Sequence, residues 1–522
     1  MKKRILLITI VVVAAVLFVL GYKYESKSKA ANVQPDLGFS DEQILAGDYF
    51  EILVPAAENR HLPCDVISYS LGDGFVHIVL PPEVSEKAVI CYIRDSLGNN
   101  LARRVYDFRN PVMIGNWEVV LDRNSLPTMY FETESPESYE AMLASENREA
   151  VCYGDMQMYV DSAMAREKGW YTEYISKDRN FSTPHTASLQ GRGQSSWTCD
   201  CKKSFTVRFE KDMSLLGMPS SDAYNLIGNA YDPSLIKNVT FNSLAQELGI
   251  KHQPYMENIS LYIDGVYQGV YTLTTKVNVD KSRVSLSKGD YLYRMDSPSQ
   301  DQPILYQSST WFEDGLTYPV ADLLYPQLAS EKKLNDASEK LQNAINAMEN
   351  PESDDFAQLI DIDSLVKYYW VQEASMNFDA WQRSVYIYYD HTDGKMHFGP
   401  VWDMDLALGS PYEKEGMQFI DPRGYRVRYA GYYTTLFQRS EFREAVDDAY
   451  INGGVREALM ALVDEFKAQK TALGSDAYLN WIMFGHANAG TTLMYGETYD
   501  EYCDNMIRFY EERIKWIDGE YN

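Results

Sequence analysis

The chain has 522 residues, 45% of them hydrophobic and 24% charged, with a net charge of −27. This length exceeds one ordinary core and predicts two or three domains, and the composition is that of a globular protein, for which disorder is not the default. The first thirty residues hold six Lys or Arg and one acid, which leaves 42 basic against 74 acidic side chains beyond them, a balance that excludes a nucleic-acid partner.

The N-terminus reads Met1-Lys2-Lys3-Arg4 and then an uninterrupted apolar run, Ile5 to Leu20, continued by Gly21-Tyr22. The positive-inside rule keeps such a basic flank cytoplasmic and exports the rest. The run is slightly short for a full span. No A-x-A site closes it and no Cys follows for lipidation, so residues 1–22 read as an uncleaved signal anchor, with a cleaved signal peptide as the alternative. The body is then extracytoplasmic, either held at the cell membrane or secreted. Residues 23–40 are polar and without period, as in a short stalk. Export permits disulfides, and Cys64 and Cys91 share an early β-rich region in which they can pair. Cys199 and Cys201 lack a second Cys pair for zinc, and read as free thiols or as partners of Cys152 or Cys503.

Over residues 41–122 short apolar runs such as Phe75 to Leu80 and Ala88 to Ile93 alternate with turns at Asp73-Gly74 and Leu97-Gly98, a spacing that predicts a small immunoglobulin-like β-sandwich. Residues 123–522 mix periods. The runs Ile259 to Ile263 and Val266 to Leu273 flank Asp264-Gly265, a hairpin signal. A second hairpin joins Ser384 to Tyr389 with Lys395 to Trp402 through Asp393-Gly394. Leu334, Ala337, Leu341, Ile345 and Met348 keep helical spacing, as do Leu365, Tyr369, Glu373 and Met376 after Asp363 as a cap. From Glu441 onward the pattern is helical, so the fold class is α+β with a helical C-terminal part.

Asp403 and Asp405 stand two apart directly after the second hairpin. On extended backbone alternate side chains share a face, so the two carboxylates can hold a hard divalent cation together; alone, such a pair is more often a solvated turn. Asp379 follows the helix begun near Asp363, 24 residues before Asp403, and the three acids match the division of labour in phosphoryl transfer between a carboxylate that orients a hydroxyl and others that bind metal. Gly191-Arg192-Gly193-Gln194-Ser195-Ser196-Trp197 before Lys202-Lys203-Ser204 is either a phosphate cradle or a polar hairpin loop, and it is not a Walker A loop. No nucleophile elbow or H-E-x-x-H motif is present.

Arg192-Gly193-Gln194-Ser195-Ser196-Trp197, Lys202-Lys203-Ser204-Phe205, Tyr231-Asp232-Pro233-Ser234-Leu235, Gly269-Val270-Tyr271-Thr272-Leu273 and Gly399-Pro400-Val401-Trp402-Asp403-Met404-Asp405 occur in the order seen in the spore coat protein H (CotH) family, which the chain resembles from about Leu126 to Gly409. The resemblance implies an atypical protein-kinase-like domain over 123–522 that uses ATP with Mg2+ or Mn2+ to phosphorylate Ser or Thr of surface or extracytoplasmic proteins. It implies Asp379 as the catalytic carboxylate, Asp403 and Asp405 at the metal, Lys203 on the ATP phosphates, Arg192 and Ser195 in the loop over the nucleotide, and Asn238 nearby. Two positions depart from the family pattern: Thr275-Lys276 where members often read Glu-Lys, and Lys237-Asn238 where they often read Arg-Asn. These departures leave a catalytically inactive kinase-like binding or adhesion module as the alternative. A secreted carbohydrate-acting enzyme fits the acidity and the aromatic content but lacks an identified acid pair.

Overall fold

In the computed structural model the described residues are the strands between 50 and 123, by backbone alone, and 126–160, 162–170, 184–193, 195–198, 202–264, 266–280, 283–296, 304–307, 320–377, 379–409, 421–484, 495–496 and 498–521. The expected anchor at 1–22 and stalk at 23–40 lie outside them, as do Cys199 and Cys201. Among the described residues no helix is long and apolar enough to cross a membrane. The chain divides into two units, Met1–Arg123 and Asn124–Asn522.

Strands β1 (Phe50–Pro55), β2 (His61–Asp65), β5 (Ala88–Arg94) and β6 (Asn100–Asp107) of the first unit form a sheet in the order β2-β1-β5-β6. Strands β3 (Ser68–Ser70), β4 (Phe75–Leu80), β7 (Val112–Ile114) and β8 (Trp117–Arg123) form another in the order β3-β4-β8-β7. Cys64 and Cys91 both stand opposite Ile52, one on each side of β1. Two strand spacings separate their Cα atoms by roughly 10 Å, beyond the reach of a disulfide. The expected pairing is therefore corrected: sharing a sheet placed a whole strand between the two residues. Cys152 and Cys503 are free and buried.

Alternation closes the first strands of the second unit into a barrel. Strands β9 (Thr128–Thr133), β10 (Val151–Tyr159), β11 (His185–Arg192), β12 (Ser204–Met213), β13 (Ser221–Ile227), β14 (Met256–Ile263) and β15 (Val266–Thr275) run in the order β10-β11-β12-β13-β15-β14-β9, with β9 parallel to β14. Phe131, Leu189, Val207, Tyr224, Leu261 and Leu273 share one apolar core. The alternate positions carry Thr206, Asn225, Asn258 and Thr272, which are buried as well. The tight turn between β14 and β15 forms as expected, with Asp264 at φ +50° and its carboxylate holding both the N–H and the hydroxyl of Thr133 at 2.7 Å.

A five-stranded antiparallel sheet follows, from β16 (Tyr291–Asp296), β17 (Ile304–Gln307), β18 (Val320–Tyr325), β19 (Val385–Asp390) and β20 (Lys395–Phe398), in the order β17-β18-β16-β19-β20. The expected second hairpin strand to Trp402 stops at Phe398, because Gly399 takes φ +125° and Pro400 offers no N–H. The expected helices form at Glu331–Glu349 and Ile362–Ser375. Asp361 rather than Asp363 caps the second, accepting the Ser364 N–H at 2.9 Å. This helix buries Leu365, Val366, Tyr369, Trp370 and Val371 around its circumference, the mark of a central helix. Helices at Ser440–Ile451, Val455–Phe484, which bends at Gly474, and Tyr499–Tyr521 pack about it. Glu373 pairs with Arg513 at 2.6 Å, both fully buried, and so ties the central helix to the last one.

Candidate functional site

Two loops carry the acids, and each is shaped by local hydrogen bonds. The central helix ends at Met376 in the left-handed region, and Asn377 then bridges back: its Nδ2 donates to Gln372 Oε1 at 2.8 Å and its Oδ1 accepts the Asp379 N–H at 3.1 Å. Asp379 is thereby fixed one short turn beyond the helix. Burial lifts its carboxyl to about 7; Arg383 opposes this, while Asp403 and Asp296 add to it.

The second loop runs from Gly399 to Gly409. Gly399 is required by a close approach, since a Cβ there would meet Ile250 Cγ2 at 2.6 Å. Asp403 sits at φ +65°, and its Oδ2 accepts from Ser384 Oγ at 3.0 Å. The expectation that alternate residues of an extended segment present Asp403 and Asp405 on one face is corrected, because the backbone turns at Asp403. The two acids remain neighbours: burial raises the Asp405 carboxyl well above the usual range, with Asp403 and Asp232 adding to the shift and Lys237 opposing it. The two loops are also fastened together. Leu408 N–H donates to Ser375 O at 2.7 Å, and Asn377 Nδ2 reaches Met404 S at 3.6 Å.

Asn238 lies in the first turn of the helix Lys237–Glu247, and its Oδ1 accepts the Met404 N–H at 2.8 Å, between the two aspartates. Behind it Asn229 and Thr272 continue the contacts to Asn258 on β14. Asn238 thus positions the metal-candidate loop from the barrel side. Asp232 holds the Lys237 N–H at 2.9 Å, and the Lys237 ammonium reaches the Asp405 carbonyl at 3.3 Å. Lysine in place of the family's arginine keeps a cation at this point.

Arg192 ends β11, lies 5.8 Å from the Trp402 ring, and interacts electrostatically with Asp403, Tyr386 and Asp405. Arg192, Asp379, Asp403 and Asp405 are therefore brought together, with Asn238 in support. Lys203 donates to the Trp197 carbonyl and lies 5.5 Å from the Trp197 ring, whereas Arg383 acts on Asp379, and Lys237 and Arg192 act on Asp405. Lys202 is buried, donating to Val270 O and, at 2.7 Å, to Asn480 Oδ1, which joins the barrel to the Val455–Phe484 helix. Ser195 opens a short helix, Ser195–Thr198, and its side chain lies outside the described residues. Thr275 is buried, and its hydroxyl accepts the Tyr255 N–H at 3.1 Å.

Sequence reasoning gave no role to Ser384, Arg383 or Asp232, the last of which it quoted only within a motif. The signal for the first two was their place just after Asp379, but nothing in the spacing marks them. Asp379, Asp403 and Asp405 offer hard oxygen donors close enough to act electrostatically on one another, the donor type a divalent cation takes. Among the described residues the compact ligand groups are elsewhere, Asp290–Asp390–His391 and Asp390–Asp393–His397 near the β19–β20 turn. There each imidazole is already paired, His391 with Asp290 at 2.6 Å and His397 with Asp393 at 2.9 Å.

A family model described as CotH kinase protein matches residues 189–517. Comparison with curated proteins gives no match.

Proposed function

The chain belongs to the CotH kinase protein family, and from that membership and the site we propose that it transfers the γ-phosphoryl of ATP to Ser or Thr hydroxyls of an extracytoplasmic protein. The observation that carries this reading is Asp379, a carboxyl lifted to about 7 beside Asp403 in a site that also holds Arg192. A base with that proton affinity is matched to removing a hydroxyl proton near neutral pH. Asp379 orients the acceptor hydroxyl and takes its proton as the new O–P bond forms and the bond from the γ-phosphorus to the bridging oxygen of ATP breaks, with ADP as the leaving group. Arg192 neutralises charge on the phosphates from the barrel side. Asp403 and Asp405 would hold Mg2+ or Mn2+, and Asn238 and Ser384 keep their loop in place. A divalent cation bound there screens the phosphate charge.

In this reading the barrel and the helical part act as the two lobes of a kinase-like domain, and the first unit is an immunoglobulin-like spacer. Residues 1–22 anchor the chain at the membrane; fractionation should find it soluble once they are deleted, and a full-length chain already soluble would contradict the anchor. A second reading, an inactive binding module, draws on Thr275, which puts a hydroxyl bound to backbone where members often carry Glu. Calorimetric titration of ATP tests the primary reading. Wild type should bind more tightly with Mg2+ or Mn2+ present than without, and Asp403→Ala should lose that metal-dependent gain while remaining folded. Identical binding by the two would overturn the metal assignment.

A further inference from the structure

Arg192, which faces the carboxylates, also acts on Lys276 together with Arg208 and Arg283, and the reading above uses only Arg192 of these cations. Lys276 is the first residue beyond β15. The registers Arg208 with Ala223 and Tyr224 with Thr275 place Arg208 and Lys276 in one row across three neighbouring strands, with Ala223 between them. Val207, Tyr224 and Leu273 point into the barrel core, so alternation turns Arg208, Ala223 and Lys276 to the outer face. The chain then folds back at Asp280–Arg283, where Arg283 N–H meets Asp280 O at 3.2 Å.

Arg283 is the telling member. Its side chain is 7% exposed, its ion pair to Asp280 is long at 3.7 Å, and its Nε and Nη1 have no hydrogen-bond partner among the described residues. A buried guanidinium with two unused donors is costly unless a ligand supplies the acceptors. Its charge and those of Arg208 and Arg192 act on the Lys276 ammonium, which burial first and then these three neighbours push down to about 8, with Asp222 as the opposing acid. Arg192 is the link, since it also faces Asp403 and Asp405. Like charges gathered in a chain of net charge −27 repel one another, and an anion relieves that repulsion.

We propose that Lys276, Arg283 and Arg192, with Arg208 at the rim, form the pocket for the phosphate chain of the nucleotide, and that Lys276 rather than Lys203 is the lysine that contacts it. Planar guanidinium forks and a compact ammonium are the donors that phosphate oxygens select. The assignment rests on the phosphotransfer reading for the identity of the nucleotide, but the anion pocket can be tested without turnover.

The test is calorimetry on the full chain with two probes, inorganic tripolyphosphate without metal and ATP with Mg2+, comparing wild type with Lys276→Met, Arg283→Gln and Lys203→Met. Affinity for both probes should fall about tenfold or more in Lys276→Met and Arg283→Gln, and Lys203→Met should bind as wild type does. Lys276→Arg, which keeps the charge, should restore most of the binding and guards against a folding defect in the other variants. Wild-type affinity in Lys276→Met, or a larger loss in Lys203→Met, overturns the proposal whatever the activity. Tripolyphosphate binding that depends on Lys276, in a protein that transfers no phosphoryl group, would leave the pocket standing and remove the phosphotransfer reading instead.

Discussion

At the scale of single residues, Asp379 combines a cost with a use. Its carboxyl holds a proton up to about 7 in the folded chain, against roughly 3.9 when unfolded. The folded state therefore binds more protons than the unfolded state between those values, and stability falls as pH rises from the lower to the higher. Asp379→Asn removes that penalty. The variant should be more stable than wild type at pH 8 by on the order of 2 kcal/mol and equal to it near pH 4, as read by urea unfolding at both values. It should also lose about 10²- to 10⁴-fold in turnover, and the rise of wild-type activity through pH 7 should vanish. A variant less stable at pH 8 would show that the carboxylate is held by partners rather than strained by burial. The residue types were legible from the chain: the acids at 379, 403 and 405 and Arg192 do gather. The surroundings of the two neighbouring lysines were not, because they are set by contacts the spacing does not carry: Lys202, just before β12, donates to Asn480 from a helix almost 280 positions away, and Lys203 to the Trp197 carbonyl.

At the scale of elements, hairpins and helices whose signals are local came through. The Asp264-Gly265 turn and the helices at 331–349 and 362–375 needed only neighbouring residues to specify them. Elements set by distant contacts did not. The 399–405 segment reads as strand, yet Gly399 against Ile250 and Asn238 against Met404 bend it into a loop. That makes Asn238 the member whose loss should show the loop's importance. Asn238→Ala leaves the Met404 N–H unpaired in a buried place, at about 1–3 kcal/mol, and should weaken metal-dependent ATP binding about 10- to 100-fold by freeing the aspartates to move. Calorimetry and thermal unfolding on the same sample check both. Full metal-dependent affinity in a destabilised variant would limit Asn238 to a packing role.

At the scale of the whole molecule, the family match begins at residue 189, inside β11, whereas the folded unit begins at Asn124. The barrel explains the difference. Strand β9 pairs with both β10 and β14, and β10 pairs with β11, so removing the first two strands opens the barrel along two edges. A chain starting at residue 124 should fold and keep nucleotide binding, and one starting at 189 should aggregate or unfold, as judged by size-exclusion chromatography and circular dichroism. A soluble, folded 189–522 would show that the closing strands are dispensable. The α+β class was readable from the mixture of periods two and 3.6, but closure was not, since the parallel pairing of β9 with β14 joins segments some 130 positions apart with no local trace.

The most direct measurement of the central claim is transfer of labelled γ-phosphate from ATP to the protein itself or to a Ser-rich peptide, with and without Mg2+ or Mn2+, for wild type, Asp379→Asn and Asp403→Ala. The account predicts acid-stable label on Ser or Thr for wild type with metal only, and none above background for either variant. Absence of transfer by wild type with either metal, or equal transfer by Asp403→Ala, would contradict it.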